Sequence, residues 1–295
     1  MGTAGEWSVK PMVSIITVTH NGADYTVASL NSLRKRGLPR DAEVIVVDNG
    51  SSPPESQQLE SELPWCRHVR LSENKGFGSA NNAGATQATG EYLFFVNNDT
   101  LFSGDVVTPL AEVLIREPGI GIVAPSLLNE DGTFQISFGR FPSIINERRT
   151  RREALRLRTK GILPTRAPRP DWVTGAALMI RRDLFRKVGG FDEGYFMYFE
   201  DVDLCKRVRL DGSGILYRED LTLTHLGGKS YVKGSPVMEL EYRRSQLRFY
   251  DKFNSWPERL MLRLYLLLKA LASGILFRGA ISAQLVQLVF RSQGT

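Results

Sequence analysis

The chain has 295 residues and a mass of 33.1 kDa, room for one large α/β domain or two small ones. Its composition, 42% hydrophobic and 24% charged, excludes a disordered tail, a collagen-like chain and a multispan membrane protein. The net charge of +6 is uneven: residues 147–170 carry +7 and the remainder −1, so the basicity belongs to one segment and not to the fold.

The first half alternates strand and helix signals. Val13–Thr19 is short, β-branched and apolar, as a buried parallel strand should be. Asn21-Gly22 breaks it, and Val27, Leu30 and Leu33 then recur at helical spacing until Gly37-Leu38-Pro39. Glu43–Asp48 reads as a second strand and His68–Leu71 as a weaker third. A helix through Gly78–Thr89 leads into the apolar strand Tyr92–Val96. This βαβ rhythm predicts a doubly wound, mainly parallel sheet.

Beyond Thr100 the rhythm loosens. A helix is expected over Thr108–Arg116, strands over Ile120–Pro125 and Trp172–Ile180, and short helices over Arg182–Val188 and Glu200–Arg209. Leu221–Thr224 reads as a further strand. From about Arg259 to Phe290, leucines crowd together with spaced cations, a pattern that fits helices lying in a membrane interface or packed on the domain or a second subunit. No uncharged run is long enough to span a bilayer. The first residues show no signal-peptide pattern, and two cysteines, Cys66 and Cys205, are too few for a disulfide scaffold, so a reduced, cytosolic setting is expected. The basic segment lacks the interleaved aromatics of a nucleic-acid binder and reads as a solvated stretch or a patch for phosphate or anionic lipid.

In open parallel sheets, ligands bind beyond the carboxyl ends of the strands. Three inferred strands end there in polar residues: Thr19-His20-Asn21, Asp48-Asn49-Gly50-Ser51 and Asn97-Asn98-Asp99. Asp48 is suited to the donor groups of a base or ribose, and Asp99 to a hard divalent cation. Asn74–Gly78 enters a helix through two glycines, which lets backbone approach a ligand, but it lacks the dinucleotide fingerprint. The densest acidic cluster, Asp192 to Asp203, is framed by aromatics that desolvate its carboxylates and make them better proton acceptors. Asp203 and Arg207 stand four apart on the expected helix, which points to a structural pair. His225 closes a strand and precedes Gly227-Gly228-Lys229-Ser230, a turn able to meet a diphosphate. His20 and His68 read as structural.

Taken in order, these pieces resemble family 2 glycosyltransferases of the GT-A fold, and most closely the bacterial rhamnosyltransferase-like enzymes of cell-surface polysaccharide assembly. The matching segments are Val13–Asn21, Val46–Ser51, Asn74–Gly78, Val96–Asp99, Thr174–Ala176, Gly190–Glu193, Tyr198–Leu204 and His225, and they span about residues 12–255. The resemblance implies an α/β fold of GT-A type: a mixed, mainly parallel sheet with flanking helices over 1–255, the basic loop 147–170 within it, and a C-terminal helical segment over 256–295. It implies an inverting, metal-dependent transfer of a sugar, rhamnose from dTDP-rhamnose first, from a dTDP- or UDP-linked donor to a saccharide or polyprenyl-diphosphate-linked acceptor.

Residue by residue, the resemblance gives Asp201 as catalytic base with Glu200 as the alternative. Thr17, Asn21, Asp48, Asn74, Gly76, Asn97, Asn98, Gly175 and Ala176 line the donor pocket, and Asp99 and His225 hold Mn2+ or Mg2+. Asn97 stands where the family's metal motif has its first acid, so one formal charge is missing. The implied setting is the inner face of the cell membrane, with peripheral contact, no nucleic acid and an open question of self-association. Galactosyl, glucosyl or N-acetylhexosaminyl transfer, a non-catalytic nucleotide-sugar-binding subunit and a sugar nucleotidyltransferase are the competing readings. The last would want a basic glycine-rich loop near the first strand, which Thr17–Asn21 does not offer.

Overall fold

The computed structural model describes residues 12–143, 146, 169–227, 235–276 and 280–290. Most of the basic segment, Arg148 to Arg166, and the Gly228-Lys229-Ser230 turn lie outside the described residues. Strand β1 (Val13–Thr19) pairs in parallel with β2 (Ala42–Asn49) and β4 (Tyr92–Val96), and β2 pairs in parallel with β3 (Arg67–Leu71). The sheet then continues through β10 (Ala177–Arg181), β6 (Ile120–Leu128), β11 (Gly214–His225) and β5 (Thr100–Phe102). β10 runs antiparallel to both β4 and β6, and β5 antiparallel to β11, which makes a mainly parallel sheet mixed at one side. Short β7 (Phe134–Gln135) pairs with β6, while β8 (Phe138–Gly139) and β9 (Trp172–Val173) form a separate ribbon.

Side-chain alternation along the central strands builds two cores. Val13, Ile15, Val44, Val46, Phe94 and Met179 face helices α1 (Ala23–Arg36), α2 (Pro53–Glu62) and α4 (Val107–Arg116). Ile16, Ile45, Val47, Phe95 and Leu178 face α3 (Phe77–Gln87), α5 (Arg182–Lys187) and α6 (Glu200–Leu210). Burial on both faces is why these strands read as continuous apolar runs. Cys66 and Cys205 are free and lie in different cores.

A third core joins α7 (Pro236–Phe253), α8 (Trp256–Leu276) and α9 (Ala280–Phe290) to the loop before α6. Leu247, Phe249 and Tyr250 of α7 pack with Leu262 and Leu266 of α8, Leu285 and Leu288 of α9, and Tyr195, Phe199 and Val202. The expected boundary at 255/256 falls in the short link between α7 and α8. Among the described residues, no helix is long and apolar enough to cross a membrane.

One expected element divides. Trp172–Ile180, read as a single strand, is two strands separated by Thr174-Gly175-Ala176. The amides of that break leave the ladder: Gly175 N–H donates to Asp201 and Ala176 N–H to the Thr174 hydroxyl. The strand expected at Leu221–Thr224 is the end of a longer one, β11, whose pairing with β6 shifts between Arg218 and Thr222.

Candidate active site

The carboxyl ends of β1, β2, β4, β6 and β11 and the start of β10 share one edge of the sheet, and the predicted residues gather there. After β4 the chain turns at once. Asn97 N–H donates to the Ala176 carbonyl at 2.9 Å, and Thr100 N–H returns to Asn97 O at 3.2 Å. Thr100 is paired with His225 across β5 and β11, which carries the imidazole to the buried Asp99. His225 Nε2 lies 3.1 Å from Asp99 Oδ1 and 3.1 Å from Asn97 Nδ2, while its Nδ1 is 2.6 Å from Gln135 Oε1. Asn98 points elsewhere: its Nδ2 donates to the hydroxyls of Thr19 and Thr26, both at 3.2 Å, and ties β4 to the start of α1.

On the β1–β2 side, Asp48 is buried and its carboxylate is engaged. It accepts from Ser51 N–H at 2.8 Å and from the Ser56 hydroxyl in α2, so it anchors that helix's first turn. Thr17 is fully enclosed within β1, and its Oγ1 has no partner among the described residues. Asn21, at a left-handed φ of 50°, receives Ser52 N–H on its Oδ1 at 2.9 Å. Asn49, which sequence reading did not assign to the site, pins the glycine loop. Its Nδ2 donates to Asn74 Oδ1 at 2.9 Å and to Gly76 O at 3.2 Å, and its Oδ1 receives Lys75 N–H at 2.9 Å. Gly76 has φ 85°, and a Cβ there would overlap the carbonyl of Phe196. Only glycine lets the loop come so close to the 195–199 segment. His20 and His68 are bonded to the carbonyls of Asn49 and Leu63, in keeping with structural roles.

The acidic pair opens α6. Asp201 is half-buried. Its Oδ2 accepts from Gly175 N–H at 2.8 Å, and its Oδ1 from Val202 N–H at 2.8 Å. Glu200 is buried beside it, and its Oε2 has no partner among the described residues. Burial, and then the neighbouring Asp201 charge, pushes Glu200 well above the usual carboxylate range. Burial also raises Asp201, against the pull of the amides of Gly175 and Val202 and the Thr174 hydroxyl. Of the two, Glu200 is pushed up further toward its neutral form, because Asp201 has the donors that favour a charge.

The turn that delivers this pair is strained. Tyr198 and Phe199 both sit in the left-handed region, at φ 68° and 67°, with no glycine between them and Glu200. For ordinary residues that conformation costs roughly 1–2 kcal/mol each, so packing must hold it. Tyr242 of α7 meets the rings of Tyr198 and Phe199 edge-on, at 5.6 and 5.3 Å. The Ser245 hydroxyl donates to Met197 O at 2.7 Å. Arg248 and Lys252 of the same helix grip Asp192, and Lys252 also reaches the wholly buried Asp203 at 2.7 Å. Burial alone would raise Asp192, but Lys252, the Gly194 amide and Arg248 bring its carboxyl down to about 2. Asp203 also pairs with Arg207 four residues on, the structural role expected for it.

These contacts join the two halves of the site. Gly175 holds Asp201, and the adjacent Ala176 holds Asn97 at the Asp99–His225 corner. Among the described residues, no three His, Cys, Asp or Glu side chains cluster as a metal-binding group, so a cation at the corner would meet one carboxylate and one imidazole. A separate cleft, lined by Glu117, Ile120, Arg169, Arg209 and Gly214, opens at the opposite edge, by the starts of β6 and β11.

Comparison with known proteins agrees with this architecture. Residues 14–189 match the family model described as Glycosyl transferase family 2. The chain is 26% identical over 270 residues to an N-acetylglucosaminyl-diphospho-decaprenol L-rhamnosyltransferase of Mycobacterium tuberculosis (strain CDC 1551 / Oshkosh), covering 83% of this chain and 86% of that protein. It is 27% identical over 227 residues to the rhamnosyltransferase WbbL of Escherichia coli (strain K12), covering 70% and 80%. Among solved structures, the mannosyltransferase PcManGT from Pyrobaculum calidifontis, in complex with GDP-Man and Mn2+, superposes with a TM-score of 0.57 at 19% identity, over 95% of this chain and 79% of that one. The chain belongs to glycosyl transferase family 2 and is a rhamnosyltransferase-like glycosyltransferase with the GT-A fold.

Proposed function

We propose that the enzyme transfers rhamnose, from dTDP-rhamnose, to a saccharide or polyprenyl-diphosphate-linked acceptor in cell-surface polysaccharide assembly, with inversion at the anomeric carbon. The observation that carries the chemistry is the Glu200–Asp201 pair: one carboxyl buried with its Oε2 unpartnered among the described residues, the other half-buried and held by two backbone N–H groups. Asp201 takes the proton of the acceptor hydroxyl, which general-base catalysis makes worth about 10²–10⁴-fold in rate. Glu200, protonated, leaves Asp201 without a second negative neighbour, and burial is what keeps Asp201 more basic than a solvated aspartate.

The donor set at the opposite corner fits a hard cation. Asp99 Oδ1 and His225 Nε2 face one another, and carboxylate with imidazole suits Mn2+ or Mg2+. A cation held by Asp99 and His225 would supply charge neutralisation for the departing nucleoside diphosphate. With Asn97 in place of an acid, the affinity is expected to be modest. The donor preference follows the names of the two bacterial relatives, and the decaprenol-linked substrate in one name supports a lipid-linked acceptor.

A lipid acceptor requires work at a membrane surface, and α8 offers one. Leu262, Leu266 and Ala270 face the core, while Trp256, Leu260, Met261, Leu264, Tyr265 and Leu268 are exposed at helical spacing, Trp256 by 71% and Leu268 by 67%. An anionic lipid surface is the occupant we favour over a second copy. Residues 236–290 carry eight basic and four acidic side chains, so two copies face to face would repel. On this reading the enzyme works at the inner face of the cell membrane. Transfer assays with dTDP-rhamnose, UDP- and GDP-sugars, with the product anomer read by NMR, test the proposal. Turnover of dTDP-rhamnose with inversion is expected, and retention of configuration, or hydrolysis of none of these donors, would reject it.

A further inference from the structure

The geometry points to Gln135 as the positioning residue that fixes which nitrogen of His225 faces Asp99. A chain of side-chain hydrogen bonds, beginning at an acceptor-only group, leads to Gln135. Asp131, as a carboxylate, accepts the Thr133 hydroxyl hydrogen at 2.5 Å. Having given its hydrogen away, Thr133 Oγ1 accepts from Asn129 Nδ2 at 2.9 Å, and the same amide nitrogen faces the Phe134 carbonyl at 3.5 Å. Two acceptors on one side orient the Asn129 amide, so its Oδ1 turns to receive Gln135 Nε2 at 3.3 Å. Gln135 then presents Oε1, which has no hydrogen to give, to His225 Nδ1 at 2.6 Å. The neutral ring must carry its proton on Nδ1, and its lone pair on Nε2.

That lone pair meets Asn97 Nδ2, a donor, at 3.1 Å, which agrees with the assignment from the other side of the ring. It also faces Asp99 Oδ1 at 3.1 Å. Two electron-rich atoms set so close are a seat for a positive ion. The inference rests on the metal corner proposed above and adds a residue from β7 that touches neither ion nor sugar. Ligating imidazoles are generally oriented by a hydrogen bond from their second nitrogen, and loss of such a partner costs roughly 10–100-fold in metal affinity.

Two measurements separate the relay from the metal reading. The chain has three histidines, so the ¹⁵N resonances of each ring are assignable in the metal-free protein. At about pH 9, above the ordinary imidazole range, His225 is expected as the Nδ1–H tautomer. Finding it as the Nε2–H tautomer would overturn the relay with no metal involved. Calorimetry then compares Mn2+ binding to wild type, Gln135→Leu, Gln135→Glu and His225→Ala. Gln135→Leu should bind about 10–100-fold more weakly, while Gln135→Glu, which keeps the acceptor, stays within a few-fold of wild type. A Gln135→Leu protein that binds Mn2+ like wild type, while His225→Ala does not, removes Gln135 from the role. Equal binding by wild type and His225→Ala instead rejects the metal corner, and the tautomer result still decides the relay.

Discussion

The Gly175 amide hydrogen rests on Asp201 Oδ2 over 2.8 Å, and the Cβ that any other residue would add at Gly175 would stand 3.0 Å from the Phe77 ring and 3.4 Å from Asp201 Cβ. The acid is thus aimed by a backbone donor from an interrupted strand, at a position where a side chain would crowd the Phe77 ring.

Asp201→Asn keeps the shape and one of the two backbone bonds, since its NH2 cannot accept the second N–H, and it cannot take a proton. Its kcat should fall by about 10²–10⁴-fold, with nucleotide affinity measured by calorimetry close to wild type. Residual activity above about a tenth of wild type, more than loss of a base allows, would remove Asp201 from the role.

The raised titration of the acidic pair has two readable consequences. The acidic limb of the kcat/KM profile should lie above the ordinary aspartate value of about 3.9, and Glu200→Gln, a neutral stand-in for the protonated acid, should leave it in place. Stability follows with opposite sign: a carboxyl whose folded value is raised contributes fully at low pH and loses that contribution as pH rises through the folded value. The Tm of Glu200→Gln relative to wild type should therefore increase from acid to neutral pH. A difference that stays flat across that range would mean Glu200 does not hold the proton.

Asp99→Ala deletes the only carboxylate at the His225 corner among the described residues. Calorimetric affinity for the nucleoside diphosphate should then lose its dependence on Mn2+, while affinity without the ion stays near wild type. An unchanged Mn2+ dependence would show that the cation sits elsewhere.

Leu264→Glu combined with Leu268→Glu places two charges on the exposed side of α8 and none in its core. Co-sedimentation with anionic liposomes should drop by at least about tenfold, since each buried leucine is worth roughly 1.5–3 kcal/mol. Transfer to a soluble acceptor should persist. Undiminished sedimentation would reject α8 as the contact.

The sheet was legible from residues such as Ile15, Val46 and Phe94, because burial on both faces forces an unbroken apolar run. Asp99, Asp201 and His225 were legible as acids or imidazole at element ends. The division of 172–180 was not, since the reason for it is a bond to Asp201 on another element. Asp48 carried the same strand-end signal as Asp99, and only the fold reveals that its carboxylate also accepts from Ser51 and Ser56. Gln135 offered no signal at all, for a lone glutamine acquires meaning only when β7 sets it against His225. α7 is charged along much of its length, and its purpose emerges only through what Arg248, Lys252 and Tyr242 clasp.

The left-handed Tyr198–Phe199 turn has a consequence for biosynthesis. Its clamp comes from residues 242–252, translated after every other part of the sheet edge. A nascent chain halted before that point would have the strands of the sheet in place and the bonds from Phe77 and Asp203 to the turn, yet lack the rings and the Ser245 hydroxyl that brace it. The turn would then settle late on the ribosome, when the last helices dock.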